Sequence, residues 1–172
     1  DVLQGMFFFE DDFNIEDLER NFDFYEPMTV HESSLSPCVH AILAAKLNKE
    51  EKAYEMYLRT ARLDLDDYNN DTEDGLHITS MAGTWISVVK GFGGMRMKDA
   101  RLHLNPMLPA NWKSFAYKLL LNGALIIIKV EADTCVVHNS SAQKLEFFAN
   151  GEQVNVGAGL DYTFKLKSFE NA

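Results

Sequence analysis

Residues 115–132 read FAYKLLLNGALIIIKVEA, two largely apolar runs on either side of Asn122-Gly123. Asn-Gly is the preferred dipeptide of a two-residue type I′ hairpin, because both residues must accept a positive φ. The stretch therefore predicts two antiparallel strands, at residues 115–121 and 124–132, joined by a tight turn.

Strand signals continue through the rest of the chain after residue 100. A second Asn-Gly pair, Asn150-Gly151, predicts another tight hairpin. Further strands are predicted at residues 101–105, 134–138, 144–149, 152–156 and 161–166. Short strands joined by turns in this way predict a small antiparallel β-sandwich over residues 101–172.

Helical periodicity dominates the chain before residue 100. Ser36 and Pro37 are predicted as the N-cap and first residue of a helix that ends near Asn48. Two more helices are predicted at residues 50–62 and 77–90, the second ended by a glycine-rich stretch. The fold class is therefore α+β by segments, with residues 1–100 forming the last helices of an all-helical array.

The composition limits the classes of partner that the chain can bind. A formal net charge of -10 excludes broad binding to nucleic acid or to anionic membranes, which need clustered Lys and Arg. No apolar run is long enough to cross a membrane, and no secretion signal is visible, so we expect a soluble protein. Cys38 and Cys135 are expected to be reduced and buried. Asp1 in place of Met suggests a piece of a longer protein.

The segment Thr29–Pro37 places the hydroxyls of Ser33, Ser34 and Ser36 immediately before a predicted helix. Unpaired N–H groups and the helix dipole favour an anion at such a position, so the segment is a candidate phosphate cradle. The alternative is that Ser36 caps the helix while Ser33 and Ser34 satisfy a turn. Local physical chemistry leaves both interpretations open.

His77 is a second candidate, because it opens the next predicted helix with the hydroxyl of Thr79 close behind. A phosphate bound there should raise the pKa of the imidazole. The alternative is an N-terminal histidine satisfied by the acidic loop, whose carboxylates could also contact sugar hydroxyls. Those carboxylates belong to Asp64, Asp66, Asp67, Asp71, Glu73 and Asp74.

Metal sites and several enzyme classes have little support in the sequence. The acidic loop resembles a calcium-binding loop, but Met81 stands where the EF-hand pattern requires Glu. His31 and His40 lie in no cluster with the spacing of metal ligands, so no metal is predicted. The chain contains no serine-hydrolase elbow, no P-loop and no dinucleotide-binding fingerprint.

Four stretches of the chain together resemble glycoside hydrolase family 65. The segments that carry the resemblance are Asn21–Pro27, Thr29–Pro37, Asp67–Trp85, and Arg101–Pro106 with Leu108, Pro109 and Trp112. Residues 29–34 are most similar to the maltose-cleaving phosphorylases of the family, although trehalose, kojibiose and nigerose phosphorylases are close relatives. The resemblance covers nearly the whole chain.

The resemblance implies the final helices of an (α/α)6 catalytic barrel, followed by the C-terminal β-sandwich. It implies inverting phosphorolysis: a Glu protonates the glycosidic oxygen while inorganic phosphate attacks the anomeric carbon, giving glucose and β-glucose 1-phosphate from maltose. Ser33, Ser34, His77 and, as a weaker candidate, Thr79 are then the phosphate ligands. The general acid is expected upstream of Asp1, since Glu32 matches an orienting residue, and the chain alone is expected to be inactive.

The resemblance further implies a cytoplasmic homodimer that acts on a disaccharide and phosphate with no cofactor. One alternative is a noncatalytic β-sandwich for interaction or carbohydrate binding, which would expose Trp112, Tyr117 or Tyr162 as a sugar platform. Another is a hydrolase of the same architecture, which would need a carboxylate base where Ser33, Ser34 and His77 stand.

Overall fold

A computed structural model of the chain describes residues 2–167. Two compact units divide it, the first ending at Gly91 and the second beginning at Phe92, somewhat before the division at residue 100 that the sequence suggests. The first unit is helical and the second is built of strands. This order agrees with the fold class inferred from the sequence.

The α-helices of the first unit vary from seven to twelve residues in length. They are α1 (Val2–Phe8), α2 (Ile15–Tyr25), α3 (Ser36–Lys46), α4 (Glu50–Ala61) and α5 (Ile78–Ile86). A π-helical segment, Ser87–Phe92, continues α5. Helices α3, α4 and α5 occupy the predicted positions, whereas α1 and α2 were not foreseen.

Helix α3 is the centre of the helical unit, with α1, α4 and α5 packed against it. Its residues from Ser36 to Ala45 are all buried, as expected for a helix that is apolar on every side. Gly83 lets α5 approach closely, because a Cβ there would lie 3.0 Å from the Cβ of Cys38 and 3.3 Å from the Cγ2 of Thr60. Small residues therefore set the spacing of these helices.

The sequence predicts Ser36 as the N-cap of α3, and this prediction is wrong. Leu35 occupies the N-cap position without a side-chain hydrogen bond, and Ser36 is already helical. The hydroxyl of Ser36 lies 2.9 Å from Nδ1 of His31. It is therefore committed to a buried histidine and satisfies no backbone N–H of the helix end.

The second unit contains two four-stranded sheets among its described residues. Their strands are β1 (Arg96–Lys98), β2 (Arg101–Leu104), β3 (Ser114–Leu121), β4 (Ala124–Glu131), β5 (Thr134–Asn139), β6 (Leu145–Ala149), β7 (Glu152–Val156) and β8 (Asp161–Lys165). One sheet has the order β1-β2-β6-β7 and the other β3-β4-β5-β8. All pairings are antiparallel except that of β2 with β6, which is parallel.

Both Asn-Gly hairpins are confirmed. Asn122 and Gly123 have φ values of 50° and 80° between the paired strands β3 and β4. Asn150 and Gly151 have φ values of 52° and 91° between β6 and β7. The positive φ at both residues of each turn is what the type I′ geometry requires.

The connection before β1 depends on Gly94, which has a φ of 57°. A Cβ on this residue would lie 2.0 Å from the carbonyl oxygen of Asn105. The amide of Asn105 also donates to the carbonyl of Gly94, with an N···O distance of 3.3 Å. The two backbones therefore touch at a place where only glycine fits.

Both cysteines are free and buried, as predicted. Burial raises the pKa of Cys38, and it raises the pKa of Cys135 to about 12. Neither thiol is therefore a reactive thiolate at neutral pH. Within residues 2–167, every helix is too short or too polar to cross a bilayer.

Candidate functional site

The loop that leads into α3 is fixed at its start by side-chain hydrogen bonds. The hydroxyl of Thr29 donates to the carbonyl of Tyr25 at 2.9 Å. His31 takes a positive φ of 57°, and Arg59 of α4 donates to its carbonyl at 3.1 Å. These contacts hold the backbone where the chain turns towards the predicted serine cluster.

The serines at the end of this loop face different partners. The backbone of Ser33 closes a turn by accepting from the amide of Ser36 at 3.1 Å, and its hydroxyl accepts from the amide of Leu35 at 3.3 Å. The hydroxyl of Ser34 instead lies 3.2 Å from that of Thr79. Ser33 thus satisfies a turn, while Ser34 meets a second candidate residue from a distant part of the sequence.

The Ser34–Thr79 contact brings the serine loop to the N-terminus of α5. Thr79 is the second residue of that helix, and His77 occupies its N-cap position. Three of the four predicted ligands, Ser34, His77 and Thr79, therefore cluster at this helix end. Ser36 is buried elsewhere, so the start of α3 does not contribute its hydroxyl here.

Asp64, which follows α4, holds His77 from two sides. Its Oδ2 accepts from the backbone amide of His77 at 3.0 Å, and its Oδ1 lies 2.6 Å from the Nδ1 of the ring. The hydrogen bond from Asp64 raises the pKa of His77, and the nearby charge of Asp71 adds to the effect. In turn, the hydrogen bond from His77 lowers the pKa of Asp64.

The Nε2 of His77 lies 3.3 Å from Oδ2 of Asp71. Two carboxylates, those of Asp64 and Asp71, therefore flank the ring. When the ring is protonated, the three groups together carry one net negative charge beside the helix end. Because Nδ1 is tied to Asp64 by the shorter contact, Nε2 is the ring atom that a ligand could reach. An incoming anion would have to replace Asp71 at this atom.

The remaining carboxylates of the acidic loop have other partners or are exposed. Asp67 Oδ1 accepts from the hydroxyl of Thr72 at 2.7 Å, and Asp66 pairs with Arg62 at 2.6 Å. Glu73 and Asp74 are exposed. The sequence did not single out Asp64, because nothing in a run of similar acids indicates which one reaches the next helix.

The three aromatic residues considered as a sugar platform, Trp112, Tyr117 and Tyr162, do not form an exposed surface. Tyr117 is buried, and Trp112 is half-buried in edge contacts with Phe92 and Phe115. Tyr162 is also half-buried, packing edge-on against a buried phenylalanine of the other sheet. This arrangement disfavours a sandwich that binds carbohydrate through these rings.

Comparison with protein families matches both units of the chain. The family described as "Glycosyl hydrolase family 65 central catalytic domain" matches residues 1–86. The family described as "Glycosyl hydrolase family 65, C-terminal domain" matches residues 95–156. The first match includes the cluster of Ser34, His77 and Thr79.

Several similar curated proteins are named as phosphorylases. A maltose phosphorylase of Bacillus subtilis (strain 168) is 57% identical over 131 residues, covering 76% of this chain and 17% of that protein. An α,α-trehalose phosphorylase of Thermoanaerobacter brockii is 42% identical over 148 residues, covering 86% of this chain and 19% of that protein. A kojibiose phosphorylase of the same organism is 39% identical over 131 residues, covering 76% of this chain and 17% of that protein.

The chain spans about a fifth of the length of these relatives. A solved structure assigned as a kojibiose phosphorylase, from the human microbiome, superimposes with a TM-score of 0.92 at 36% identity. That match covers 100% of this chain and 25% of the other. The helices and strands described above thus recur together within a larger protein.

Proposed function

The chain belongs to glycoside hydrolase family 65, and from this premise we propose that it carries the phosphate-binding side of an inverting disaccharide phosphorylase. The observation that supports the proposal is the contact between Ser34 and Thr79 in the first turn of α5, the helix whose N-cap residue is His77. Two hydroxyls, a helix N-terminus and a histidine whose pKa is raised are groups that bind phosphate oxygens.

Each residue has a distinct part in the proposed site. Asp64 fixes the ring of His77 through Nδ1, which directs the Nε2–H towards the ligand. Phosphate displaces Asp71 from Nε2 of His77 and accepts a hydrogen bond from the Nε2–H. Ser34 and Thr79 donate hydrogen bonds to further phosphate oxygens. Ser33 shapes the turn that presents Ser34 and offers its own exposed hydroxyl.

The proposed reaction explains why a second carboxylate is not needed at this position. A phosphate oxygen forms a bond to the anomeric carbon as the bond to the glycosidic oxygen breaks, and the departing sugar takes a proton from a general acid. Phosphate is already anionic, so it requires positioning and no catalytic base. The acid is none of the residues assigned here, and the chain alone is therefore proposed to be inactive.

Maltose is the proposed disaccharide, because the identity of 57% to a maltose phosphorylase exceeds the 42% and 39% to trehalose and kojibiose phosphorylases. The products would be glucose and β-glucose 1-phosphate. A cytoplasmic homodimer is likewise proposed for the whole enzyme from its family. Incubation of the purified chain with maltose and phosphate should give no β-glucose 1-phosphate, and its formation would overturn the proposed inactivity.

The decisive test is a histidine-resolved NMR titration of the chain with inorganic phosphate at constant ionic strength. We expect a saturable shift of the His77 resonances and a rise in the pKa of its ring. Ser34→Ala should weaken binding about tenfold, the loss of roughly one hydrogen bond to a charged group. Ser140→Ala is the matched control, because Ser140 is an exposed serine of the β-unit, and an equal loss of phosphate affinity is not expected for it.

His138 provides an internal control for this titration. Its Nδ1 lies 2.6 Å from Asp161, so it forms the same kind of histidine–aspartate pair as His77, but within the β-unit. A shift of His77 alone supports the proposed site. Equal shifts of His77 and His138, or no shift of either, would contradict it.

A further inference from the structure

A second histidine cluster lies behind the serine loop and takes no part in the proposed phosphate site. It is formed by Glu26 at the end of α2, His31 of the loop and His40 of α3. One ligand atom from each residue lies within 4.8 Å of the others. The two imidazole rings meet edge to face, with 4.4 Å between their centroids.

Three of the four ring nitrogens of this cluster are buried without a hydrogen-bond partner, although Nε2 of His31 lies 3.8 Å from Oε1 of Glu26. His40 is fully buried, and neither its Nδ1 nor its Nε2 has a hydrogen-bond partner; the same is true of Nε2 of His31. A buried polar atom left unpaired costs about 1–3 kcal/mol. Three such atoms on two rings whose centroids lie 4.4 Å apart are therefore unusual unless a bound group satisfies one nitrogen of each ring.

The hydrogen bond between Ser36 and His31 prepares the second ring for ligation. Its Nδ1 lies 2.9 Å from the hydroxyl of Ser36, and its Nε2 lies 3.8 Å from Oε1 of Glu26. In the tautomer whose Nδ1–H donates to Ser36, the lone pair of Nε2 is free to bind a metal. A hydrogen bond to the distal nitrogen is the usual way in which a metal-ligating histidine is oriented.

Burial disfavours the charged form of both histidines, and the neutral imidazole is the form that binds metals. Burial is the main cause that lowers the pKa of His31, and burial lowers the pKa of His40 to about 3. A metal ion would supply the positive charge without a proton.

We propose that Glu26, His31 and His40 bind one divalent transition-metal ion, with Zn²⁺ the best match to two imidazoles and one carboxylate. Zn²⁺ takes imidazole nitrogens and carboxylate oxygens at about 2.0–2.2 Å. The three ligand atoms lie within 4.8 Å of one another. Ligands of a tetrahedral Zn²⁺ are about 3.4 Å apart, so the atoms must approach one another by up to about 1.4 Å, and water would complete the coordination. The spacing of His31 and His40 in the sequence does not reveal this site, because the fold brings them together with Glu26.

Two cations oppose the metal and set an upper limit on its affinity. Lys52 lies 3.2 Å from Oε1 of Glu26, and Arg59 donates to the carbonyl of His31. Binding requires Lys52 to give up this oxygen, which a half-exposed and flexible lysine can do at small cost. The bound metal would tie α2, α3 and the loop together, and so fix the backbone that leads to Ser34.

The test is isothermal titration of the chelator-treated chain with ZnCl₂, together with the visible spectrum of the Co²⁺-substituted protein. We expect one Zn²⁺ per chain and a Co²⁺ spectrum typical of low-coordinate nitrogen and oxygen ligation. His40→Leu should weaken binding at least tenfold. His77→Gln is the matched control, because His77 with Asp64 and Asp71 is the competing surface position.

Folding of the variants is checked in the absence of metal. His40→Leu removes two unpaired nitrogens from an apolar position, so its thermal midpoint should not fall sharply. Zn²⁺ should then raise the midpoint of the wild type and of His77→Gln, but not that of His40→Leu. If His40→Leu does not fold, Glu26→Gln replaces it in the same comparison.

The outcomes separate the metal site from the proposed phosphate site. Loss of Zn²⁺ binding in His40→Leu with retention in His77→Gln supports the proposal. No Zn²⁺ binding by the wild type, or loss only in His77→Gln, would overturn it. Neither result depends on phosphate or on catalytic activity.

Discussion

The carboxylate of Asp64 binds His77 at both its backbone amide and its ring, at 3.0 Å from the amide nitrogen and 2.6 Å from Nδ1. One side chain therefore fixes the backbone of the N-cap residue of α5 and sets the orientation of its imidazole. The helix dipole disfavours a cation at this position, and the negative charge of Asp64 reverses that preference. The proposed phosphate ligand is thus prepared by a residue outside its own helix.

Removing the charge of Asp64 should lower the pKa of His77. Asp64→Asn keeps an oxygen acceptor but loses the ionic component that raises the pKa of the ring. NMR titration of His77 in the wild type and in the variant measures the change. Asp66→Asn is the control, because Asp66 lies on the same loop but pairs with Arg62. An unchanged pKa in Asp64→Asn would show that Asp64 does not stabilise the imidazolium.

The same pair predicts the pH range over which it stabilises the fold. The pKa of Asp64 is lowered from 3.8, so its contribution is present above 3.8 and is lost as the pH falls through the folded value. The pKa of His77 is raised from 6.5, so its contribution is present below 6.5 and is lost as the pH rises through the folded value. The difference in unfolding free energy between the wild type and Asp64→Asn should therefore be largest between these two pH values. A difference that is constant with pH would contradict this assignment.

Removing the charge of Asp71 should strengthen phosphate binding. Asp71 lies 3.3 Å from Nε2 of His77, where it competes with the proposed ligand and repels it. At an exposed site the repulsion is worth about 1 kcal/mol, so Asp71→Asn should bind phosphate roughly fivefold more tightly. Titration of the variant with inorganic phosphate measures the effect, with Asp74→Asn as an exposed control on the same loop. Weaker binding in Asp71→Asn would mean that Asp71 supports the ligand rather than competing with it.

The local features of the fold were more predictable than its long-range contacts. Asn122-Gly123 specifies a hairpin by itself, because both residues tolerate the positive φ that the turn requires. Helix α1 was missed because Phe7–Phe9 followed by acidic residues gives no helical period, and packing on α3 determines its conformation. The parallel pairing of β2 with β6 joins strands far apart in sequence, and no local signal encodes it.

In the candidate site, too, the local features could be predicted from the sequence but the long-range contacts could not. Hydroxyls before a helix and a histidine at a helix start could be identified from the sequence, but the contact between Ser34 and Thr79 spans 45 residues. The choice of Asp64 among several acids depends on how α4 ends relative to α5. The prediction that Ser36 caps α3 failed because a buried histidine competes for its hydroxyl. Contacts between residues distant in the sequence thus determine the partners of Ser34, Asp64 and Ser36, which local chemistry does not specify.

Gly94→Ala should destabilise the β-unit strongly. The added Cβ would lie 2.0 Å from the carbonyl oxygen of Asn105, and the residue has a φ of 57°. Overpacking and an unfavourable φ together should cost about 2–4 kcal/mol in unfolding free energy. Gly123→Ala is the matched control, because its φ is 80° but nothing lies within 4 Å, so about 1 kcal/mol is expected. Equal losses in chemical denaturation would show that the close approach of the two backbones is unimportant.

Helix α5 carries an exposed apolar stripe that should make the chain self-associate. Ile78, Met81 and Trp85 are 75%, 49% and 55% exposed, and their spacing places them on one face of the helix. Burying such a face against a second copy removes large apolar side chains from water. Size-exclusion chromatography over a range of concentrations should show a concentration-dependent increase in size, which Trp85→Lys should reduce. Leu120→Lys, at a position of β3 that is 76% exposed, should have little effect because it introduces the same charge away from the stripe. A compact monomer at all concentrations would mean that this exposed face does not drive association.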